Sequence, residues 1–292
     1  MSSRMSSRVS LRSVRPLAAV ILTFVVVGVV AGCSSHRSME DEMTSSAQAV
    51  SDTLHFRAFE TDEPITLKTS GPIAVQVENF RGGVEVRADT SVKQATVEVR
   101  RVSTMGIGRY EESEKALADI TWRATLEPRE GGGDTLVIHA DSSNAEPYFF
   151  HADILVIAPA VDTVSVRTSH GDVTVIENQG PVDILTSRGD VRMLTPWPMT
   201  QPMKIITSQG TIDYRVRGES KGAFDAASHG GEVRQRCEFG LWRALAAEND
   251  QDRLVATLNA GTNPVVLRTS EKNIRIAVVA DPANVGTAIV DP

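Results

Sequence analysis

One short phrase returns through residues 164–235 of this chain, and its period limits the fold more than any other feature. It reads Val164-Ser-Val-Arg-Thr-Ser-His-Gly-Asp-Val173, then Val182-Asp-Ile-Leu-Thr-Ser-Arg-Gly-Asp-Val191, then Met203-Lys-Ile-Ile-Thr-Ser-Gln-Gly-Thr-Ile212. A worn fourth copy is Ala223-Phe-Asp-Ala-Ala-Ser-His-Gly-Gly-Glu232. Its serines, Ser169, Ser187, Ser208 and Ser228, are 18, 21 and 20 residues apart. A unit of that size cannot bury its apolar side alone, so neighbouring units must cover one another in a stacked array.

Within the first three copies the apolar or threonine side chains alternate: Val164, Val166, Thr168; Val182, Ile184, Thr186; Met203, Ile205, Thr207. That period of two is a strand with one buried face. Ser-x-Gly follows as a turn, with Gly171, Gly189, Gly210 and Gly230 as its glycines. A second alternating strand then begins at Val173, Val191 or Ile212. Strand, glycine turn, strand can be built as a parallel β-solenoid or as a series of hairpins. Nearly fixed spacing favours an all-β, parallel β-solenoid with rungs of about 20 residues. Val166, Ile184 and Ile205 should then form one inward column with neighbours about 5 Å apart. The fourth copy breaks the alternation, with Asp225 standing where Ile205 stood.

The repeated Thr-Ser-x-Gly-Asp-Val resembles the adhesin-like domains of bacterial envelope proteins, a family of unknown function related to the head-GIN adhesin-like domains. Val77-Glu-Asn-Phe-Arg-Gly-Gly-Val-Glu-Val86 resembles that family's opening phrase, and Ile154-Leu-Val-Ile-Ala-Pro159 its proline-ended strand before the repeats. The likeness runs from about Phe56 to Val279. It implies a β-solenoid and an envelope location, and it brings no catalytic residues.

The N-terminus has the form of a targeting segment. Arg4, Arg8, Arg12 and Arg15 precede the uncharged run Leu17 to Ala31, which ends in Val30-Ala31-Gly32-Cys33. Fifteen apolar residues fall short of the roughly 20 needed to span a bilayer, but they suit a signal peptide's core. The closing four residues match the bacterial lipoprotein cleavage box, so Cys33 is the expected lipid attachment point. A lipoprotein cysteine carries at least two acyl chains, enough for stable anchoring. Ser34, rather than Asp, after the cysteine points to the outer membrane. The sequence thus divides into a signal peptide (1–32), a polar tether (33–52), a strand-rich body (53–280) and a C-terminal tail (281–292).

Residues 1–32 carry four arginines and no acid, so the formal charge moves from −7 to −11 on the 260 residues that remain. That acidity excludes a nucleic-acid partner. In the body, strands are expected around residues 65–68, 73–77, 84–86, 95–100, 121–126, 136–140 and 154–157. One short helix is expected near 110–120, where Glu111-Glu-Ser-Glu-Lys-Ala-Leu-Ala-Asp-Ile120 breaks the pattern, with Ser103 or Thr104 as its cap. Leu241 to Ala247 fits either a helical turn or an edge strand, and Val265 to Val279 restates the phrase as a terminal rung. Once Cys33 is lipidated, Cys237 has no partner in the chain and reads as a buried thiol.

Chemistry-bearing clusters are few. His170 and His229 hold the same place in the phrase, but three rungs at ~4.8 Å put them roughly 14 Å apart, too far to share a metal ion. His36, His55, His139 and His151 have no ligand spacing. Asp172 and Asp190 would sit on adjacent rungs, a weak Ca²⁺ pair beside which the next copies offer only Thr211 and Gly231. The simpler reading is that such an aspartate accepts backbone N–H bonds in its turn. Arg188-Gly-Asp190 is explained by the repeat itself. No phosphate loop, zinc signature or Gly-x-Ser-x-Gly elbow occurs. No cofactor is expected. The expected function is binding, adhesion or scaffolding by a lipid-anchored envelope protein, with membrane contact through the lipid and a glycan or protein ligand. The alternative is a carbohydrate-active β-helix enzyme, which would need a groove lined by carboxylates or aromatic platforms; Trp122, Trp197 and Trp242 are scattered.

Overall fold

The computed structural model describes residues 57–106, 108–130, 132–245 and 249–284. The signal peptide, Cys33, the tether and residues 285–292 of the tail lie outside the described residues. The rest is all-β with one short helix, and its twenty strands, numbered in chain order, make two mixed sheets. The first sheet runs β1 (Ala58–Thr61), β5 (Ala95–Ser103), β8 (Phe150–Ala158), β4 (Val84–Ala88), β10 (Val173–Ile176), β12 (Val191–Leu194), β14 (Ile212–Arg217), β20 (Ile274–Val279), β16 (Val233–Cys237). Its tenth strand, β2 (Ile65–Leu67), also pairs with β5. The second sheet runs β17 (Trp242–Ala244), β18 (Arg253–Leu258), β15 (Gly222–Ser228), β19 (Pro264–Thr269), β13 (Met203–Gln209), β11 (Val182–Arg188), β9 (Val161–His170), β3 (Ile73–Asn79), β7 (Asp134–Ser142), β6 (Ile120–Pro128).

The phrase's glycine turn carries the chain from one sheet to the other. Strands β9, β11 and β13 lie side by side in parallel in the second sheet, while β10, β12 and β14 do so in the first. The two halves of a copy therefore never pair with each other, which removes the hairpin alternative for these copies. Ile184 is in register with Val166 on one side and Ile205 on the other, and all three are fully buried. Across from them, Val84, Val173, Val191, Ile212, Ile274 and Val233 are successive partners in the first sheet. Inward residues of both sheets join one apolar cluster. Valine and isoleucine suit this role because their branched side chains are stiff and pack well on a pleated surface.

Spatial order departs from chain order twice. Residues 265–279 do not close the stack: β19 and β20 lie between the third copy and the fourth, pairing with β13 and β14 on one side and β15 and β16 on the other. At the other end, β7 and β8 stack outside β3 and β4, and β9 and β10 then return to their opposite side. Antiparallel strands close these ends. Strands β6 and β5 cover β7 and β8, while β18 and β17 cover β15. Such strands blunt the open edges that a bare stack of parallel strands presents. The Leu241 to Ala247 segment thus resolves as an edge strand at Trp242–Ala244.

Two local expectations are corrected by register. In the fourth copy Phe224, Ala226 and Ser228 pair with Val265, Leu267 and Thr269 and point inward. Ala226, not Asp225, holds the place of Ile205, so the copy is shifted by one residue from an alignment on its serine. The helix α1 spans Tyr110–Ala116 and continues as a 3₁₀ turn, Leu117–Asp119. It starts from Arg109 without a side-chain cap, since Ser103 belongs to β5 and the Thr104 N–H bonds the Phe149 carbonyl. Buried Ser113 accepts from the Met105 N–H instead, and Ala116 and Leu117 supply the apolar side.

Candidate binding surface

The turns between the sheets stack as closely as the strands do, and their side chains form columns with separate duties. Inside, Thr207, Thr269 and Ser228 are buried and donate their hydroxyls to the carbonyls of Gly189, Gly210 and Lys272 on the neighbouring crossing, while Thr168 is shared between Gly82 there and His170 of its own turn, and Thr186 donates to Arg188 of its own turn. The strand thus ends in a polar residue whose one hydrogen satisfies a turn carbonyl, in three of the five on the neighbouring crossing alone. The glycine carrying that carbonyl has no room for a side chain: a Cβ on Gly171 or Gly189 would lie 2.1 Å from the Gly82 or Gly171 oxygen. On Gly210 it would lie 1.8 Å from the Gly189 oxygen. In the fourth copy this place belongs to Gly231, 2.4 Å from the Lys272 oxygen, and not to Gly230.

Asp172 and Asp190 occupy the next column and work across the stack rather than within their own turns. Asp172 Oδ1 accepts the Asp190 N–H at 2.8 Å, and Asp190 Oδ1 accepts the Thr211 N–H at 2.7 Å. Asp153 does the same for Gly83 at 2.9 Å, and Asn273 for Glu232 at 2.9 Å. An amide therefore fills the place as well as a carboxylate. Among the described residues no group of three or more His, Cys, Asp or Glu side chains is placed to hold a metal ion. Desolvation by the neighbouring turns pushes the Asp172 carboxyl above its ordinary range; the Asp190 N–H opposes this, and the Asp190 and Asp153 charges add to it. The native carboxyl keeps its proton to higher pH than an unfolded one, so its contribution to stability falls as pH rises through that raised pKa. Asp172→Asn keeps the acceptor and removes this dependence. Because Asp172 keeps an exposed edge, the substitution is expected to change stability at pH 7 by less than ~0.5 kcal/mol. Asp172→Ala, which orphans the Asp190 N–H, should cost about 1 kcal/mol. A rise in thermal stability on adding Ca²⁺ that Asp172→Asn abolishes would show a cation site instead.

The histidines do not share a place. His170 is in register with Arg188 and Gln209, whereas the one-residue shift puts His229 in the column of Ser169, Ser187 and Ser208. Four crossings separate them instead of three, because β19 and β20 intervene.

Beyond the turns, the outer face of the second sheet carries two adjoining concavities, of about 470 and 270 Å³, which share Phe80, Asp141 and Ser169. Strands β3, β7, β9 and β11 position their walls. Phe80 follows β3 directly, Ser169 and Ser187 stand side by side on β9 and β11, and Leu185 is 45% exposed. Tyr148, 57% exposed, comes from the short turn before β8, and its backbone carbonyl accepts Arg81 Nη1 at 2.7 Å. Sequence reading missed Phe80, Arg81 and Tyr148. Aligning Phe80-Arg-Gly-Gly-Val84 on the later His-Gly-Asp-Val turns would have found the first two; Tyr148 carries no sequence signal.

One contact here has the outline of a catalytic pair. His170 Nδ1 is 3.1 Å from Ser169 Oγ. The Ser169 hydroxyl, however, donates to the Phe80 carbonyl, so its only hydrogen is committed and the imidazole must donate to Oγ. A serine so held is not activated as a nucleophile, because the base must accept its proton. Cys237 is partly rather than fully buried, and it is no better placed: desolvation pushes its thiol up to about 12, leaving almost no thiolate at neutral pH.

No family model matches the chain, and no curated protein matches it. The fold is similar to that of a solved "putative cell adhesion protein" from Clostridium sporogenes, with a TM-score of 0.50 at 9% identity over 76% of this chain and 99% of that one. A "putative adhesin" from Bacteroides fragilis aligns at 11% identity over 76% of this chain and 97% of that one, with a TM-score of 0.32. The first of these likenesses is one of fold.

Proposed function

We propose that this chain is a lipid-anchored protein of the bacterial cell envelope whose body binds a glycan or protein ligand and performs no catalysis. On this reading the body is a two-sheet parallel β-solenoid with two crossings out of chain order, and the ligand lies along the outer face beside Phe80. The observation that carries it is the groove itself, where exposed Tyr148 and Leu185 meet Phe80 and a line of serine hydroxyls. Apolar surface edged by a few fixed polar groups is what ligand sites offer, and exposed apolar patches rimmed by polar residues mark interaction surfaces. The committed Ser169 hydrogen argues against a serine nucleophile there, and the fold likeness to the "putative cell adhesion protein" accords with adhesion.

Screening the mature protein against a glycan array, while assaying the same glycans for cleavage, tests the reading. Retention of glycans without new ends is the expected result, lost on Tyr148→Ala; turnover would replace binding with enzymology. The anchor has its own test. Cys33→Ala is expected to move the protein from the membrane to the soluble fraction, since stable attachment requires two acyl chains at ~0.8 kcal/mol per buried methylene. A variant that still partitions into detergent would refute lipidation at Cys33. Outer-membrane sorting, as Ser34 suggests, is read by separating the two membranes of the producing cell.

A further inference from the structure

The rim of the turns carries a run of basic side chains. Arg81, His170, Arg188, Gln209 and Glu271 each stand one residue before the stacked position held by Gly82, Gly171, Gly189, Gly210 and Lys272. They therefore form one column, and its first three members are basic. Among the described residues, no carboxylate lies within ion-pair distance of Arg81 or Arg188. Arg81 bonds a backbone carbonyl, and Arg188 Nε bonds Gln209 Oε1 at 2.6 Å. The nearest acid along the column, Glu271, accepts from Gln209 Nε2 at 2.8 Å and so stands two places beyond Arg188.

This is an uncompensated cluster in a chain whose formal charge is −7. The like charges feel one another: burial and Arg188 lower the Arg81 pKa, and burial, Arg81 and Arg188 lower that of His170. Repulsion of this kind disfavours the free state and is relieved by an anion, which is why perturbed groups collect at binding sites. The 270 Å³ concavity opens beside the column, walled by Phe80, Tyr148 and His170; Asp141 is the one carboxylate among its lining residues, and Glu146 bonds the Tyr148 side chain at its edge.

We propose that this column and concavity take an acidic saccharide of the uronic-acid class. The Arg81 and Arg188 guanidiniums flank His170 and hold the sugar carboxylate, while Phe80 and Tyr148 cover the apolar face of the ring. The planar guanidinium fork matches a carboxylate and suits it better than a lysine would. Ser187 and Ser208, exposed along the adjoining column, offer hydroxyls to further units of a chain. The assignment rests on the glycan-binding reading above and adds the sign and class of the ligand.

The test is calorimetric titration of the mature protein with oligogalacturonate and with its fully methyl-esterified form, at low and at physiological ionic strength. Oligogalacturonate is expected to bind at least about tenfold more tightly than the ester, and to weaken as salt rises. Arg188→Gln, which alters an exposed side chain, should cost about tenfold in affinity, as should Arg81→Gln, while Arg217→Gln on the other sheet should cost nothing. Arg81→Lys keeps the charge without the fork and should restore only part of the loss. Equal binding of acid and ester, both lost on Tyr148→Ala, would overturn the acidic assignment while leaving the glycan-binding reading in place. Failure of the protein to bind either form or any array glycan would overturn both. Binding of heparin with no measurable affinity for oligogalacturonate would show a sulfate site and refute the carboxylate class.

Discussion

Ile184→Asp is expected to abolish cooperative folding, whereas Leu185→Asp, one residue further on, should leave stability within ~0.5 kcal/mol of the parent. Ile184 is 0% exposed between equally buried Val166 and Ile205 on adjacent parallel strands. Removing its side chain from the core costs about 2–5 kcal/mol. A carboxylate placed there has no partner and must either stay charged in an apolar medium or take up a proton and remain unsatisfied, at a further cost of about 1–3 kcal/mol. Together these reach the whole stability of an ordinary domain, about 5–15 kcal/mol. Leu185 is 45% exposed on the opposite side of the same strand and meets solvent. The pair can be compared by circular dichroism and thermal unfolding. Because a one-residue slip exchanges the two faces of a strand, the reverse result, with Leu185→Asp unfolded and Ile184→Asp intact, would show that the register is wrong.

What could be read in the sequence followed local rules. The alternation in the first three copies fixed which residues point inward, and the glycine at constant offset marked where the chain changes sheet. Reading failed where two local rules disagreed. The string Ser228-His-Gly invited alignment with Ser169-His-Gly, yet the apolar period runs through Phe224 and Ala226, and burial of those residues decides the register. Alternation should therefore outrank identity when copies are worn. The insertion of β19 beside β13 was not legible, because Val265-Val-Leu-Arg-Thr269 offers the same inward valine, leucine and threonine as any copy and fits beside several of them. Nothing local records which neighbour it takes. The same limit hid the candidate groove, whose aromatic residues Phe80 and Tyr148 are remote in sequence and meet only because β7 and β8 stack outside β3 and β4. The aspartates were understood in kind: they do accept backbone N–H groups, but from the next crossing instead of their own turn.

Gly189→Ala and Gly210→Ala are each expected to destabilise the protein by about 3 kcal/mol or more, placing them in the severe tail of single substitutions. Two causes can operate at such glycines, and this pair separates them. Gly189 has φ +145°, a conformation that other residues adopt at a cost, and its Cβ would lie 2.1 Å from the Gly171 oxygen. Gly210 lies outside the left-handed region, yet its Cβ would be 1.8 Å from the Gly189 oxygen and 2.9 Å from Thr207 Oγ1. The Gly189 oxygen is a backbone atom of a packed neighbour, held by the Thr207 hydroxyl and by the bond from the Gly189 N–H to the Gln209 carbonyl at 3.1 Å. Relief therefore requires two turns to separate and hydrogen bonds on both sides to break, each worth about 1 kcal/mol when buried groups lose their partners. Gly71, with nothing within 4 Å of an added Cβ, supplies the control; Gly71→Ala should change stability by no more than ~0.5 kcal/mol. Chemical denaturation of the three variants reads the differences. If Gly189→Ala is destabilised and Gly210→Ala is not, backbone conformation and not crowding between turns governs these positions. If both match Gly71→Ala, the turns are not stacked.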